Sequence, residues 1–165
     1  MRARIILLSL LLLALPIVGF SQSTLNFPRL YEVADLSLTG LAIVNPSSTA
    51  AAVTFTFYNE SGSAIATTAA SVPARQSYVK LAVPEVFASV PTRGWLQVTS
   101  TTTGLQGFWL GGDFTNTMDG AEASPAGQEF IFPLATATTE LSLVNLTSSA
   151  NTLTMRIYGA DMCVS

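Results

Sequence analysis

The feature that most constrains this chain is an internal repeat. Residues 41–58, LAIVNPSSTAAAVTFTFY, return in degenerate form 100 residues later as residues 141–158, LSLVNLTSSANTLTMRIY. Self-similarity at a fixed period indicates a repeated structural unit. In both copies an Asn-centred turn separates two apolar runs, a pattern typical of a β-hairpin. The repeat therefore predicts one β-rich unit of roughly a hundred residues and the start of a second.

Short apolar stretches fill the first unit, and some of them alternate with polar residues, as half-buried strands do. The predicted strands cover residues 38–45, 53–58, 64–71, 76–81, 94–100 and 105–110. One helical turn is expected over residues 84–90, because Pro84 suits a helix start and Pro91 follows its end. Gly107 and the pair Gly111-Gly112 indicate a bend or a close backbone contact in the last strand. Closely spaced strands without a long amphipathic helix predict an all-β fold, an antiparallel sandwich of immunoglobulin-like shape.

Residues 1–21 have the pattern of a signal peptide. Arg2 and Arg4 precede an apolar run, and Gly19 and Ser21 supply small residues at the −3 and −1 positions of a cleavage site. The mature chain would then begin at Gln22 and be secreted or held at the cell surface, with no membrane span after cleavage. A retained N-terminal anchor is the alternative interpretation.

The repeat divides the rest of the chain. Residues 22–113 are the predicted first sandwich repeat, residues 114–127 a Gly-, Asn- and Asp-rich linker loop, and residues 128–165 a partial second β repeat. The second unit lacks a counterpart of residues 63–113, and a few strands alone leave unpaired edges. We therefore expect a truncated piece of a longer repeat protein. The alternative is that the extra strands pack on the first unit or on a partner.

Charge and cysteine content limit the function classes. Without Arg2 and Arg4, five basic residues face ten acidic ones, a net charge of −5. A mildly acidic chain without a basic cluster is a poor nucleic-acid binder, since phosphate contacts need Lys and Arg. Cys163 is the single cysteine, so no internal disulfide forms. It either pairs between chains or has no role, and the second reading is favoured.

The sequence offers little catalytic chemistry. It contains no His, which removes Ser-His-Asp and Cys-His catalysis and His-ligated zinc. Ser77 and Lys80 have Ser-x-x-Lys spacing, but positions i and i+3 of a strand face opposite sides, so coincidence is favoured. The chain is therefore predicted not to be an enzyme.

Two weak candidate sites remain. Asp113, Asp119 and Glu122, with Asn116, place oxygen ligands in one loop, as Ca²⁺ requires, although a solvated linker is the more common use of such a loop. Two carboxylates there would also suit a glycosidase, but their spacing gives no support.

Trp95 and Trp109 form the second candidate, an aromatic platform for sugar rings. Trp95 is offset from Leu96 and Val98, which directs it to the outer face, and Trp109 likewise alternates with its neighbours. Packing in the core or at an edge is the more frequent use of such residues.

Several motifs together resemble a known class of protein. Residues 39–46 (TGLAIVNP), residues 57–62 (FYNESG) and the pair 94–98 (GWLQV) and 107–111 (GFWLG) are similar to β-sandwich repeats of large secreted bacterial proteins of the acidobacterial type. The resemblance implies an extracellular scaffold or adhesive module and supplies no catalytic residues. We therefore expect a secreted, non-enzymatic module with a structural or adhesive role, whose partner is a protein or polysaccharide at the cell surface. The alternative is a carbohydrate-binding module that uses an exposed Trp, with Ca²⁺ as an optional aid.

Overall fold

The structure, a computed structural model, describes residues 22–112, 118–132 and 140–157. Within these ranges the chain is almost entirely strand and loop. The strands are β1 (Ser23–Tyr31), β2 (Thr39–Asn45), β3 (Ala51–Asn59), β4 (Ala64–Val72), β5 (Gln76–Leu81), β6 (Gly94–Ser100), β7 (Gln106–Gly112) and β8 (Met118–Glu122). Two short helical turns, Asp35–Leu38 and Ala82–Val86, lie in the connections.

The strands form two antiparallel sheets of four. The first sheet has the order β1-β6-β3-β4 and the second has the order β5-β2-β7-β8. Alternate residues of each strand point between the sheets, as the two-residue period of a strand requires. In β3, for example, Val53, Phe55 and Phe57 are buried while Thr54 and Thr56 are half-buried on the other face.

The two inner faces enclose one apolar core. Its largest members come from both sheets and from the helical turns, and they include Phe27, Ile43, Phe55, Phe87 and Leu96. Burial of this apolar surface is the main favourable term in the stability of the sandwich.

The predicted sandwich is confirmed. β5 and β6 begin and end at the predicted residues, and the other predicted strands agree within three residues at each end. The strand order is not that of an immunoglobulin constant domain, because β1 and β2 lie in different sheets whereas the first two immunoglobulin strands share one. Among the described residues, no helix has the length and hydrophobicity that a membrane-spanning helix needs.

The predicted hairpin at residues 41–58 is wrong. β2 pairs with β5 and β7, whereas β3 pairs with β4 and β6, so the turn at residues 46–50 carries the chain from one sheet to the other. We call such a strand–turn–strand segment, whose strands enter different sheets, an arch. The local turn chemistry of an arch and of a hairpin is similar, which is why the pattern did not separate them.

A buried amide explains why the chain crosses here. The side chain of Asn45 is inaccessible to solvent, and its Nδ2 donates to the carbonyl oxygens of Thr49 (2.8 Å), Val72 (3.0 Å) and Pro73 (3.2 Å). Its Oδ1 accepts from the backbone N–H (3.0 Å) and the hydroxyl (2.6 Å) of Ser47. These bonds tie the turn to the end of β4, and they satisfy backbone groups that would otherwise be buried without a partner.

The second copy of the motif builds the same turn. Asn145 Nδ2 donates to the carbonyl of Ser149 (2.7 Å), and its Oδ1 accepts from the backbone N–H (3.0 Å) and hydroxyl (2.9 Å) of Thr147. These bonds repeat those of Asn45 at an offset of 100 residues. The likeness is confined to the turn, since the described residues 140–157 contain no paired strand. A second sandwich unit therefore stays a prediction.

β8 extends the first unit beyond its predicted end at residue 113. Met118–Glu122 lies in the segment assigned to the linker, yet it pairs with β7 from Gly112 to Phe108. The backbone of Ser124 then bonds to that of Asn26 on β1 (2.8 Å), so the segment reaches from one sheet to the other. Sequence favours a loop here because Gly, Asp and Asn are poor strand residues, and pairing with β7 overrides that preference.

Candidate functional site

The outer face of the first sheet carries a stacked pair of aromatic rings. Tyr58 at the end of β3 and Trp95 at the start of β6 lie opposite each other in register, with ring centroids 4.6 Å apart and planes 15° from parallel. The outward position of Trp95 agrees with its offset from Leu96 and Val98. Its ring is nevertheless only 9% exposed, so it is covered rather than free.

A glycine lets the two strands meet at this point. A Cβ atom on Gly94 would overlap the carbonyl oxygen of Tyr58 and would lie 2.8 Å from the ring of Phe57. Any side chain at Gly94 would therefore separate β6 from β3 next to the aromatic pair. A Cβ atom on Gly107 would likewise lie 2.8 Å from the ring of Phe27, so side chains pack closely against the backbone at that glycine.

The aromatic pair lines a cleft between the sheet and the second Asn turn. One wall is the outer face of the first sheet, and the other is the extended segment at residues 140–150. The sheet and the turn after β3 contribute Pro28, Leu30, Tyr58, Glu60, Ser61, Gly62, Trp95 and Gln97 to this cleft. We refer to it below as the Trp95 cleft.

The polar groups around the Trp95 cleft are held in place. Arg93 makes a two-pronged contact with Glu60, with N–O distances of 2.7 and 2.6 Å, and a further bond of 3.1 Å to Glu32. The hydrogen bond from Arg93 holds the pKa of the Glu60 carboxyl below its usual value. On the sheet itself, Gln97 Nε2 donates to Asn26 Oδ1 at 2.9 Å. The cleft therefore combines an aromatic floor with fixed polar atoms.

Trp109 lies elsewhere and is buried. Its side chain is 5% exposed and belongs to the core, while its neighbour Phe108 points outward and is 40% exposed. The guanidinium of Arg29 lies 4.5 Å from the indole centroid and donates to Asp119 Oδ2 at 2.7 Å. Tyr31 meets the indole edge-to-face, with centroids 5.7 Å apart. The outward direction suggested for Trp109 is wrong. A sugar platform needs an exposed indole face, and Trp109 does not provide one.

The hydroxyl of Tyr31 in this cluster is buried without a hydrogen-bond partner among the described residues. Burial raises its pKa well above the ordinary 10.0. A buried, unpaired hydroxyl costs about 1–3 kcal/mol of desolvation, and phenylalanine keeps the ring without that cost. We expect Tyr31→Phe to raise the free energy of unfolding by roughly 1–2 kcal/mol in urea denaturation.

The pH dependence of Tyr31→Phe supplies a second readout. Because the folded-state pKa is raised, the unfolded chain ionises first, and the natural chain loses stability as the pH rises above about 10. The Tyr31→Phe variant should lose less stability than the natural chain over this pH range. Tyr58→Phe serves as a control because its ring is only half-buried. Loss of stability in Tyr31→Phe at neutral pH would mean that the hydroxyl has a partner.

The carboxylates of the calcium hypothesis do not converge in the part of the chain that is described. Asp113 and Asn116 lie outside the described residues. Asp119 is on β8 and forms an ion pair with Arg29, and Glu122 is three positions further along the same strand. Positions i and i+3 of a strand point to opposite faces, which separates these two carboxylates. Within the described ranges no group of three metal-ligating side chains is present.

Ser77 and Lys80 fall on opposite faces of β5, as their spacing predicts. Ser77 pairs with the exposed Val44, whereas Lys80 pairs with the buried Leu41 and its ammonium bonds to Glu85 Oε1 at 2.9 Å. The backbone N–H of Leu81 also donates to Glu85 (2.8 Å). That bond is the main reason why the pKa of Glu85 is below its usual value.

Sequence reasoning missed two residues of these sites. Tyr58 falls on the wetter face of its predicted strand, but nothing in the sequence places it against Trp95, 37 positions away. Arg29 gives no signal at all, because its contacts with Trp109 and Asp119 depend on the pairing of β7 with β8. Comparison with known proteins adds no relative: no family model, no curated protein and no solved structure matches this chain.

Proposed function

We propose that the chain is a secreted, non-enzymatic β-sandwich module with a structural or adhesive role at the cell surface. The observation that carries this proposal is the Trp95 cleft on the outer face of the first sheet. Aromatic rings flanked by fixed polar atoms are the usual centre of a protein contact surface, since they give large contact area at low entropic cost. The sandwich would act as the rigid frame of this surface, and a partner would reach Trp95 once the segment at residues 140–150 moves away.

Ion pairs support the structural part of the proposal. Arg93 joins the loop before β6 to the turn after β3 and to the segment after β1, and Arg29 joins β1 to β8. Exposed ion pairs add little to stability, so we infer that their use is to fix segments that are distant in sequence.

Two carboxyls that accept hydrogen bonds, Glu60 and Glu85, support the non-enzymatic part of the proposal. Arg93 lowers the pKa of Glu60, and the Leu81 N–H and Lys80 lower that of Glu85. A general acid needs a raised pKa, so neither carboxyl is tuned for that chemistry.

A carbohydrate-binding module is the second candidate function. Its supporting observation is that Trp95, Gln97 and Glu60 line one cleft. An apolar ring beside a few oriented polar groups is the usual composition of a small-ligand site. For sugar to reach the ring, the segment at residues 140–150 would have to move away.

Retention on surfaces tests both candidates. The purified chain is incubated with cell-envelope preparations and with insoluble polysaccharides, and the retained fraction is measured. The variant Trp95→Ala removes the floor of the cleft. Thr99→Ala is the matched control, since Thr99 points to the same face of β6 but does not line the cleft.

We expect retention on at least one surface, with a loss of about tenfold in Trp95→Ala and no change in Thr99→Ala, the size expected for a central aromatic contact. Retention on polysaccharide would favour the second candidate, and retention on protein-containing envelope alone would favour the first. If the natural chain is retained on neither surface, the adhesive proposal is wrong. Equal retention of all three chains would place the contact outside the Trp95 cleft.

A further inference from the structure

One side of the sandwich ends in two open edges. β4 and β5 are the edge strands of their respective sheets, and residues 73–75 join them across that side. β4 has nine residues, AIATTAASV, with neither a charge nor a proline, and its one irregularity is a register shift opposite Phe57 and Tyr58. β5 carries a single charge, Lys80, which is paired with Glu85. Soluble proteins usually protect such an edge with charge, proline or a bulge, because its free N–H and C=O groups accept another strand.

The core is also incompletely covered on this side. The inward positions of the central strand β3 are fully buried, as Phe55 is. The inward residues that pair with them on β4, Ala66, Thr68 and Ala70, are only half-buried, and so is Tyr78 on β5. An added layer of apolar side chains would therefore continue the core.

The structure already shows how an arch stacks on β4 and β5. The arch β2–β3 places β3 beside β4 and β2 beside β5, so one arch covers the other along both sheets. The two turns are joined as well, through Asn45 to Val72 and Pro73, and through the backbone N–H of Arg75 to the carbonyl of Ser47 (3.1 Å).

The chain carries a second copy of this arch. Residues 141–157 repeat β2–β3 in sequence and in turn hydrogen bonding, but their apolar side chains are open to solvent. Leu153, Met155 and Ile157 are 66%, 62% and 84% exposed, whereas their counterparts Val53, Phe55 and Phe57 are at most 2% exposed. We refer to residues 141–157 as the donor arch and to the open edges of β4 and β5 as the acceptor side.

We infer that the donor arch of one molecule adds to the acceptor side of a second copy of this chain. Residues 151–157 would extend the first sheet beside β4, and residues 141–145 would extend the second sheet beside β5. Both additions are antiparallel, because the donor strands run in the same directions as β3 and β2. Leu153 and Met155 would then cover the half-buried residues of β4, as Val53 and Phe55 do on its other edge.

The interface joins two different surfaces, so it is heterologous. Each molecule would use its donor arch on one neighbour and its acceptor side on another, which gives an open head-to-tail chain rather than a closed dimer. Residues 141–150 of the donor arch also form one wall of the Trp95 cleft, so their addition to a neighbour would open that cleft. The self-assembly itself goes beyond the proposed function.

Charge substitutions on each surface test the assembly. Met155→Lys places a charge on the apolar side of the donor arch, and Thr154→Lys, its neighbour on the opposite side, is the control. Thr68→Lys places a charge at the inward side of β4, and Thr67→Lys is the control that points outward. Mass photometry and sedimentation velocity measure the size distribution of each purified chain, and far-ultraviolet circular dichroism checks its fold. If Thr68→Lys does not fold, Ala66→Lys takes its place.

The natural chain and both controls should form a ladder of oligomers that grows with concentration, while Met155→Lys and Thr68→Lys should each stay monomeric. The decisive result comes from mixing these two variants. Thr68→Lys keeps its donor arch and Met155→Lys keeps its acceptor side, so an equimolar mixture should form dimers that grow no further.

Three results would overturn the inference. A monomeric natural chain would mean that the donor arch is satisfied within its own molecule. If the natural chain assembles and Thr68→Lys assembles equally well, the contact lies elsewhere, for example between two donor arches. A folded pair of variants that stays monomeric when mixed would show that the two surfaces do not meet.

Discussion

Replacing Asn45 with alanine is expected to lower the free energy of unfolding by about 3–5 kcal/mol, a large part of the stability of a domain this size. The amide of Asn45 is inaccessible to solvent and bonds to Val72, Pro73 and Thr49. Alanine would leave the carbonyl at the end of β4 buried without a partner, and each such group costs about 1–3 kcal/mol. It would also release the turn at Ser47.

Asn145 supplies a matched control for this prediction within the same chain. It makes the same bonds within its turn, but it is exposed, so water can replace the lost partners in Asn145→Ala. We expect Asn145→Ala to change the free energy of unfolding by less than about 1 kcal/mol. Urea unfolding followed by circular dichroism compares the two variants. Equal losses would mean that the local turn carries the energy and that the bonds to β4 contribute little.

Strand positions were the part of the fold that the sequence predicted best. The stretch GWLQVTS became β6 and QSYVKL became β5 at the predicted residues. Both are rich in side chains that suit a pleated, half-buried surface, and turn residues bound them. Such signals are local, which is why they can be read without knowing the partner strand.

Pairing was the part that the sequence did not predict. The period of two tells which residues of a strand share a face, but it does not tell which sheet the strand enters. The Asn45 turn predicted a hairpin, and only the burial of its amide against Val72 shows that it is an arch. β8 was missed for a related reason, since it is a strand through its pairing with β7 rather than through its composition.

The two tryptophans show the same limit at the candidate sites. Leu96 and Val98 define the inner face of β6, and Trp95 was correctly placed on the other one. In β7 both faces carry apolar side chains, Trp109 on one and Phe108 and Leu110 on the other, so alternation alone could not choose the inner face. The contacts of Trp109 with Arg29 and Tyr31 show that Trp109 points inward. These contacts join strands that are distant in sequence, so alternation within β7 does not reveal them.

Replacing Trp109 with alanine is expected to lower the free energy of unfolding by about 3–5 kcal/mol, the usual range for a buried aromatic residue. The change leaves a cavity in the core and removes the edge-to-face contact with Tyr31. It also removes the ring beneath the Arg29 guanidinium, a cation–π contact worth about 0.5–2 kcal/mol in such a setting. Arg29 would then keep its ion pair with Asp119 but lose the ring against which its guanidinium lies.

Phe108→Ala is the matched control for Trp109→Ala, because Phe108 is the preceding residue of the same strand and points outward. Phe108→Ala should lower the free energy of unfolding by less than about 1 kcal/mol, because the side chain lies on the outer face of β7. Urea unfolding by circular dichroism gives both values, and Trp95, the other tryptophan, still reports the transition by fluorescence in Trp109→Ala. A larger loss in Phe108→Ala than in Trp109→Ala would reverse the inner and outer faces of β7. The register of β7 with β2 and β8 would then have to shift by one residue.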